Sequence, residues 1–257
     1  MRIISCDQKR QGTELEGMKD NRSYYDDFSG WYERGRGEGY HAFLDESQLE
    51  LIRPYLRGAD VCEIGCGTGL LLKEVDPIAH TTLGIDLSRQ MLSQAQRRAL
   101  SVVQATATDL PIPDKSFDLV YTFKVLPHVE DIVKALSEVS RILRPNGRAF
   151  LEFYNTRSLR HVIKRLKPPD SVSDQTQDTD VYTRYDTVED AKTYLPIDLE
   201  FVRAHGIRVL TPTAAFHRIP VIKQVVQWSE RHIQRTGLGA KFGGFVVLEV
   251  KRVDLLI

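Results

Sequence analysis

Val61-Cys62-Glu63-Ile64-Gly65-Cys66-Gly67-Thr68-Gly69 decides how this chain is read, because Leu83-Gly84-Ile85-Asp86 follows at the spacing of a nucleotide site. Val61 to Ile64 is short, apolar and bounded by glycine, as a strand buried on both faces would be. The alternating glycines let the chain turn sharply and bring backbone N–H groups close to a ligand. A helix is expected from Leu70 to Val75. Thr81 to Ile85 reads as a second strand, so Asp86 stands at its carboxyl end. An acid there can accept two hydrogen bonds from a ribose diol.

The glycines do not fit a dinucleotide. G-x-G-x-x-G would need glycine where Leu70 stands, and the third glycine comes one place early, at Gly69. Glu63 is unfavourable beside a pyrophosphate and suits an ammonium or sulfonium group. Read as acid-x-G-x-G-x-G, with Asp86 after the next strand, the chain resembles the class I S-adenosylmethionine-dependent methyltransferases. Ala105-Thr106-Ala107-Thr108-Asp109-Leu110-Pro111, Phe117-Asp118-Leu119-Val120 and the Pro145-Asn146-Gly147 turn before Ala149 to Phe153 extend the likeness over Leu51 to Phe153.

The resemblance implies an α/β fold: a seven-stranded, mostly parallel Rossmann-like sheet with helices on both faces and an antiparallel last strand. It implies S-adenosyl-L-methionine as cofactor. Glu63 would lie near its methionine end or cap the loop's N–H groups, and Gly65, Cys66, Gly67 and Gly69 would wrap it. Asp86 would bind the ribose, Asp109 the adenine amino group, and Leu110 the ring through its backbone. Leu87 and Met91 would flank the adenine, although Met91 also reads as helix core. Right-handed crossovers bring Gly65, Asp86, Asp109 and Tyr121 to one sheet edge.

Bulk properties narrow the partners. Lys+Arg and Asp+Glu are both 35 in 257 residues, so no basic field calls for nucleic acid. No run of about 18 apolar residues exists to span a membrane. The opening residues are polar, unlike a secretion signal. Cys6, Cys62 and Cys66 have no zinc or disulfide spacing, which suits a cytoplasmic protein. Cys62 and Cys66 read as small packing residues. No metal is expected, and the P-loop lysine and hydroxyl are absent.

Residues 1–22 are expected to be a flexible tail before a single domain over 23–257. Helices are expected over Ser47 to Leu56, capped by Asp45 or Ser47, over Ser88 to Arg98, and over Glu130 to Leu143. In the last of these Ile132, Val133, Leu136, Val139 and Ile142 repeat at helical spacing. Gly206 to Thr211 is a strand candidate, Val221 to Arg235 a helix, and Gly243 to Val250 the final strand.

Two regions bear on the methyl acceptor. Tyr24 to Tyr32 holds five aromatics in nine residues and resembles the tyrosine-rich opening segment of quinone-biosynthesis-type methyltransferases. It reads as a lid over 23–45, with Tyr24, Tyr32 and Arg36 as acceptor-side groups. The insertion over 155–196 reads as a cap, with Tyr182 and Tyr185 facing the acceptor and His217 reaching the same rim. Its Arg157 to Lys167 part is a basic amphipathic helix, and a substrate cap is the better reading than membrane contact. His128 follows the fourth strand and is the candidate general base, with tethering its loop the plainer role. Lys124, near the pocket mouth, could meet an acidic substrate, with a solvated lysine the plainer reading. The acceptor is then a small molecule, aromatic or acidic, methylated on oxygen or carbon rather than nitrogen. The alternatives are a non-methylating enzyme that binds the same cofactor and a cofactor-binding scaffold or regulatory protein.

Overall fold

The computed structural model describes residues 20–30, 32–33, 39–166, 171–173, 176–177, 182–209 and 228–254. Arg36, His217, most of the expected tail and residues 221–227 of the expected C-terminal helix lie outside them. Of that tail, Asn21 and Arg22 already belong to helix α1 (Asn21–Phe28), where the Asp20 carboxylate accepts from the Ser23 N–H.

A seven-stranded sheet organises the chain: β1 (Asp60–Ile64), β2 (Thr81–Asp86), β3 (Val102–Gln104), β4 (Phe117–Thr122), β5 (Leu143–Tyr154), β6 (Leu199–Ile207) and β7 (Phe245–Arg252). The spatial order is β3-β2-β1-β4-β5-β7-β6, with β7 antiparallel to both neighbours and the β1–β5 pairs parallel. The expected fold is therefore the observed one. Both sheet faces are covered, which explains why β1 and β4 are almost continuously apolar. Cys62, Ile64, Val120 and Leu151 face α5 (Ile132–Ile142), while Val61, Leu119, Phe150 and Val247 face α2 (Gly39–Ile52).

Local signals set most helix ends. Ser88 accepts from the Met91 N–H at 3.1 Å and starts α4 (Arg89–Arg97), where Met91, Leu92 and Ala95 are buried as expected. Asp131 caps α5 in the same way through the Lys134 N–H. Val133, counted among the apolar repeat, is 54 % exposed, and Ala135 fills the buried stripe instead.

Three expectations about elements need correction. The helix read from Ser47 begins at Gly39, because buried Tyr40, Phe43 and Leu44 extend the apolar side by two turns. Ser47 is thus mid-helix, its hydroxyl donating to the Phe43 carbonyl, and Asp45 is no cap. The glycine loop leads into a shorter helix, α3 (Leu72–Val75), than Leu70 to Val75. Strand β6 starts at Leu199 and ends at Ile207, not Thr211; as an edge strand it carries outward Glu200 and Arg203, which masked it in the sequence.

At the far end of the sheet, Glu249 of β7 is fully buried. Its Oε1 takes Arg148 at 2.6 Å and the Tyr55 hydroxyl at 3.0 Å; its Oε2 takes Arg203 at 2.7 Å and His205 at 3.2 Å. This knot pins β5, β6 and β7 together.

Candidate active site

The carboxyl ends of β1, β2, β4 and β5 open on one cavity of about 530 Å³. Its floor is the glycine loop. Gly65 has φ +77° and a Cβ there would lie 2.1 Å from Val125, so only glycine fits between β1 and the loop after β4. The Gly65 and Cys66 N–H groups both donate to the Ile85 carbonyl, which fixes the loop against β2. A Cβ on Gly67 would lie 3.7 Å from the Tyr32 ring, so the two are neighbours in the cavity wall.

Asp86 is the charged centre of this floor. Its Oδ2 accepts from the Gly67 N–H and its Oδ1 from the Ser88 N–H, both at 2.8 Å. Each oxygen keeps a second lone pair for a diol. Burial raises its pKa, against the lowering pull of those backbone donors. Leu87 and Met91 line the cavity too, and Thr106, Ala107 and Thr108 form another part of its wall.

Asp109 and Leu110 do not join that wall. Asp109 is exposed on a turn closed by its N–H to the Thr106 carbonyl at 3.1 Å. Leu110 is buried, its N–H donating to Glu138 and its carbonyl accepting from Arg141. The turn presents the residues before Asp109, not Asp109 itself. The small Ala-Thr-Ala-Thr run after β3 was the signal that could have found them.

Other assigned cofactor residues act behind the wall. Cys66 is buried where a Cβ on Gly84 would meet its sulfur at 2.7 Å, so its side chain packs against β2 and does not line the cavity. Gly69 is tight against Leu100 and Ala95. Tyr121 is fully buried one strand position short of the edge, and Phe123 takes the cavity-facing place. The Tyr121 hydroxyl donates to Glu63 at 3.0 Å. Glu63 is buried and its carboxyl is pushed up to about 8, chiefly by burial, against the lowering effect of Tyr121. Glu152, also buried, is raised to about 7 by burial and accepts from Gln48 and the Lys124 N–H.

Lys124 is not a solvated lysine. Its backbone sits at φ +62°, a strained setting for a non-glycine residue, and its Nζ is 2.8 Å from Asp45. Behind the cavity floor the buried acids therefore outnumber this one paired cation among the described residues. A cationic ligand would draw Glu63 into its charged form. We expect donor affinity to rise with pH up to about 8 as Glu63 loses its proton. Calorimetric affinities across that range should flatten in Glu63→Gln.

His128 bridges the two acceptor-side regions. Its Nδ1 lies 2.8 Å from the Tyr182 carbonyl, which can only accept, so Nδ1 carries the hydrogen. The Nε2 lone pair of the neutral ring then points to the Tyr154 hydroxyl at 3.4 Å. Tyr182 thus contributes its carbonyl, while Thr183 lines the cavity and Tyr185 packs on Tyr154 outside it. Tyr154, at the end of β5, was missed; its place at a strand's carboxyl end was the available signal.

Helix α1 closes the top. Asn21 donates to the His128 carbonyl at 2.7 Å, Asp26 accepts from the Ser88 hydroxyl, and Gln94 donates to the Ser29 carbonyl at 2.9 Å. Arg98 joins Glu33 at 2.7 Å and the Thr68 carbonyl at 2.9 Å, tying the turn after α1 to the glycine loop. Tyr24, Tyr25 and Tyr32 line the cavity. Burial lifts the Tyr25 phenol well above its ordinary pKa, with Tyr154 and Tyr24 adding to it.

Comparison with known proteins agrees with this geometry. Residues 62–151 match the family model described as a methyltransferase domain. Over these residues the chain carries a methyltransferase domain. A demethylmenaquinone methyltransferase of Tropheryma whipplei is 34 % identical to it over 123 residues, 42 % of this chain and 52 % of that one. A probable S-adenosylmethionine-dependent methyltransferase of Mycolicibacterium smegmatis is 33 % identical over 92 residues, 35 % and 36 % of the two chains. The matches span between 29 % and 58 % of the length of the first curated relatives. A S-adenosylmethionine-dependent methyltransferase structure from Thermotoga maritima superposes with TM-score 0.65 at 24 % identity, covering 89 % of this chain and 98 % of that one. Methyltransferase domains of this class use S-adenosylmethionine, and the acid-rich floor suits that cationic donor.

Proposed function

We propose that this chain transfers the methyl group of S-adenosylmethionine to a small-molecule acceptor held under α1. The observation that carries the reading is the single cavity that joins Asp86 and the glycine loop to His128 and Tyr154. Its volume falls in the range of small-molecule sites, roughly 300–1,000 Å³. The adenosine would lie between Leu87, Met91 and the Thr106–Thr108 wall, with its ribose on Asp86. The methionine end would run over Gly65 toward Phe123 and Lys124, with Glu63 beneath.

Methyl transfer needs in-line approach more than proton chemistry, so the tyrosine-lined enclosure supplies positioning and a dry pocket. The sulfonium becomes a neutral thioether, and the acceptor must shed a proton if it attacks through O–H or N–H. We assign that role to His128 Nε2, which faces the Tyr154 hydroxyl at the cavity wall. The relatives do not share one acceptor, and the demethylmenaquinone enzyme's substrate belongs to that enzyme. The expected acidic acceptor gains no support, because Lys124, the one lysine or arginine lining the cavity among the described residues, is paired with Asp45.

The test is transfer of isotope-labelled methyl from S-adenosylmethionine to a panel of phenols, quinols and amines sized for the cavity, read by mass spectrometry. Labelled product with any member supports the reading. Tight donor binding with no transfer to any member favours the non-methylating alternative. On an acceptor that works through O–H or N–H, His128→Asn should lower kcat by about 10²–10⁴-fold with donor affinity unchanged. A small loss of kcat with a lower melting temperature would leave only the tethering role.

A further inference from the structure

Helix α6 (Leu159–Leu166) leaves part of its apolar side outside. Its polar residue His161 packs inward on the Tyr185 ring, with centroids 4.3 Å apart. Leu159 and Val162, from its apolar side, are 52 % and 51 % exposed. A helix capping a substrate would do the opposite. The foot of α6 meets a second exposed apolar segment. The Asn155 amide donates to the carbonyls of Lys241 and Gly243, both at 2.9 Å, at the end of α8 (Gly237–Phe242). On and before that helix Leu238, Phe242 and Trp228 are 63 %, 44 % and 64 % exposed. (Helix α7, Val188–Thr193, lies between α6 and β6 in the chain.)

Charge says what such a face meets. From Arg157 to Pro169 the sequence has five basic residues and no acid, and from Asp170 to Asp190 it has seven acids and one arginine; of the five basic side chains Arg157 is the one described. From Arg231 to Phe242 it has no acid either, and Arg235 and Lys241 are exposed there. In the described part of the acidic stretch that follows α6, Asp186 is taken by Arg184 and Tyr194, and Asp190 by Thr187. Only Glu189 reaches back, to Arg157 at 3.2 Å.

We propose that the face formed by α6 and residues 228–242 docks on an anionic lipid surface, with Leu159, Val162, Leu238, Phe242 and Trp228 entering the interface. Basic residues beside exposed apolar ones are the combination that holds an interfacial helix to anionic headgroups. This holds whatever the methyl acceptor is, and it replaces the substrate-cap reading of α6.

The experiment is flotation of the whole chain with phosphatidylcholine vesicles, with and without about 30 % phosphatidylglycerol, at low and high salt. Tryptophan fluorescence in a Trp31→Phe background, which leaves Trp228 as the one tryptophan of the chain, provides a second readout. Binding is expected to the anionic vesicles alone, to weaken with salt, and to shift the fluorescence to the blue. Lys241→Glu should weaken it by at least about fivefold, the loss of roughly one basic residue's share. Leu159→Glu and Leu238→Glu, at exposed sites, should abolish it while the melting temperature and donor affinity hold. The proposal falls if anionic vesicles do not bind at low salt, or if neutral vesicles bind equally. It also falls if these substitutions leave binding unchanged, or if they instead dissolve a dimer of the chain.

Discussion

Replacing Asp86 by asparagine is expected to cost the protein about 2–5 kcal/mol of donor affinity, some 30- to 4,000-fold, while the fold survives. The carboxylate sits at the end of β2 with one oxygen on the Gly67 N–H and the other on the Ser88 N–H. An amide can keep only one of these bonds, since its nitrogen meets a donor instead of accepting one. The remaining lone pairs that would take the ribose hydroxyls are lost on the same side. Binding of S-adenosylmethionine and adenosylhomocysteine by calorimetry, beside a thermal melt, separates the site effect from a folding defect. Unchanged affinity for both ligands would remove Asp86 from the ribose site.

The largest effect on stability is expected far from that cavity, at Glu249. This buried carboxylate collects the buried His205, the half-buried Arg148 and Tyr55 and the exposed Arg203, so Glu249→Gln leaves all four without a charge to face. Removing one member of a fully buried group costs about 3–5 kcal/mol, and the solvent reach of Arg203 and Arg148 brings the loss to the lower end, about 3 kcal/mol. For a domain of this size that is a melting temperature lower by roughly 6–12 °C. The same group sets an acid limit. Its hydrogen-bonded partners hold its carboxyl down at about 2 despite its burial. A depressed native pKa means the stabilisation is complete above the ordinary glutamate range and is lost as pH falls toward about 2. Melts between neutral pH and pH about 3 should show a steeper acid decline in the native chain than in Glu249→Gln. Parallel declines would mean that the knot contributes little.

What the sequence showed well is local. The glycine loop, Asp86 and the Ser88 cap are set by a few neighbouring residues, and parallel strands buried on both faces announce themselves as apolar runs. Asn21, Tyr25, Tyr154 and Thr183 could not be read that way, because three separate parts of the chain, α1, the end of β5 and the loop before α7, bring them to one cavity. Tyr121 and Phe123 show how fine the limit is. Both belong to the same apolar stretch, yet only the strand's end point decides that Phe123 faces the cavity and Tyr121 faces Glu63. Asp109 shows the same limit: the turn closed on the Thr106 carbonyl leaves it exposed, and its smaller neighbours Thr106, Ala107 and Thr108 line the cavity. Edge strand β6 carried too many charged letters to be seen from its start, and α6 was legible as amphipathic but not in the direction it faces.

The most direct measurement of the central claim is a crystal structure of the whole chain with adenosylhomocysteine. The account predicts the ribose hydroxyls on Asp86, the adenine between Leu87 and Ala107, and the sulfur facing the space between His128 and Tyr154 under α1. A ligand bound elsewhere, or one whose sulfur points away from that space, would contradict it.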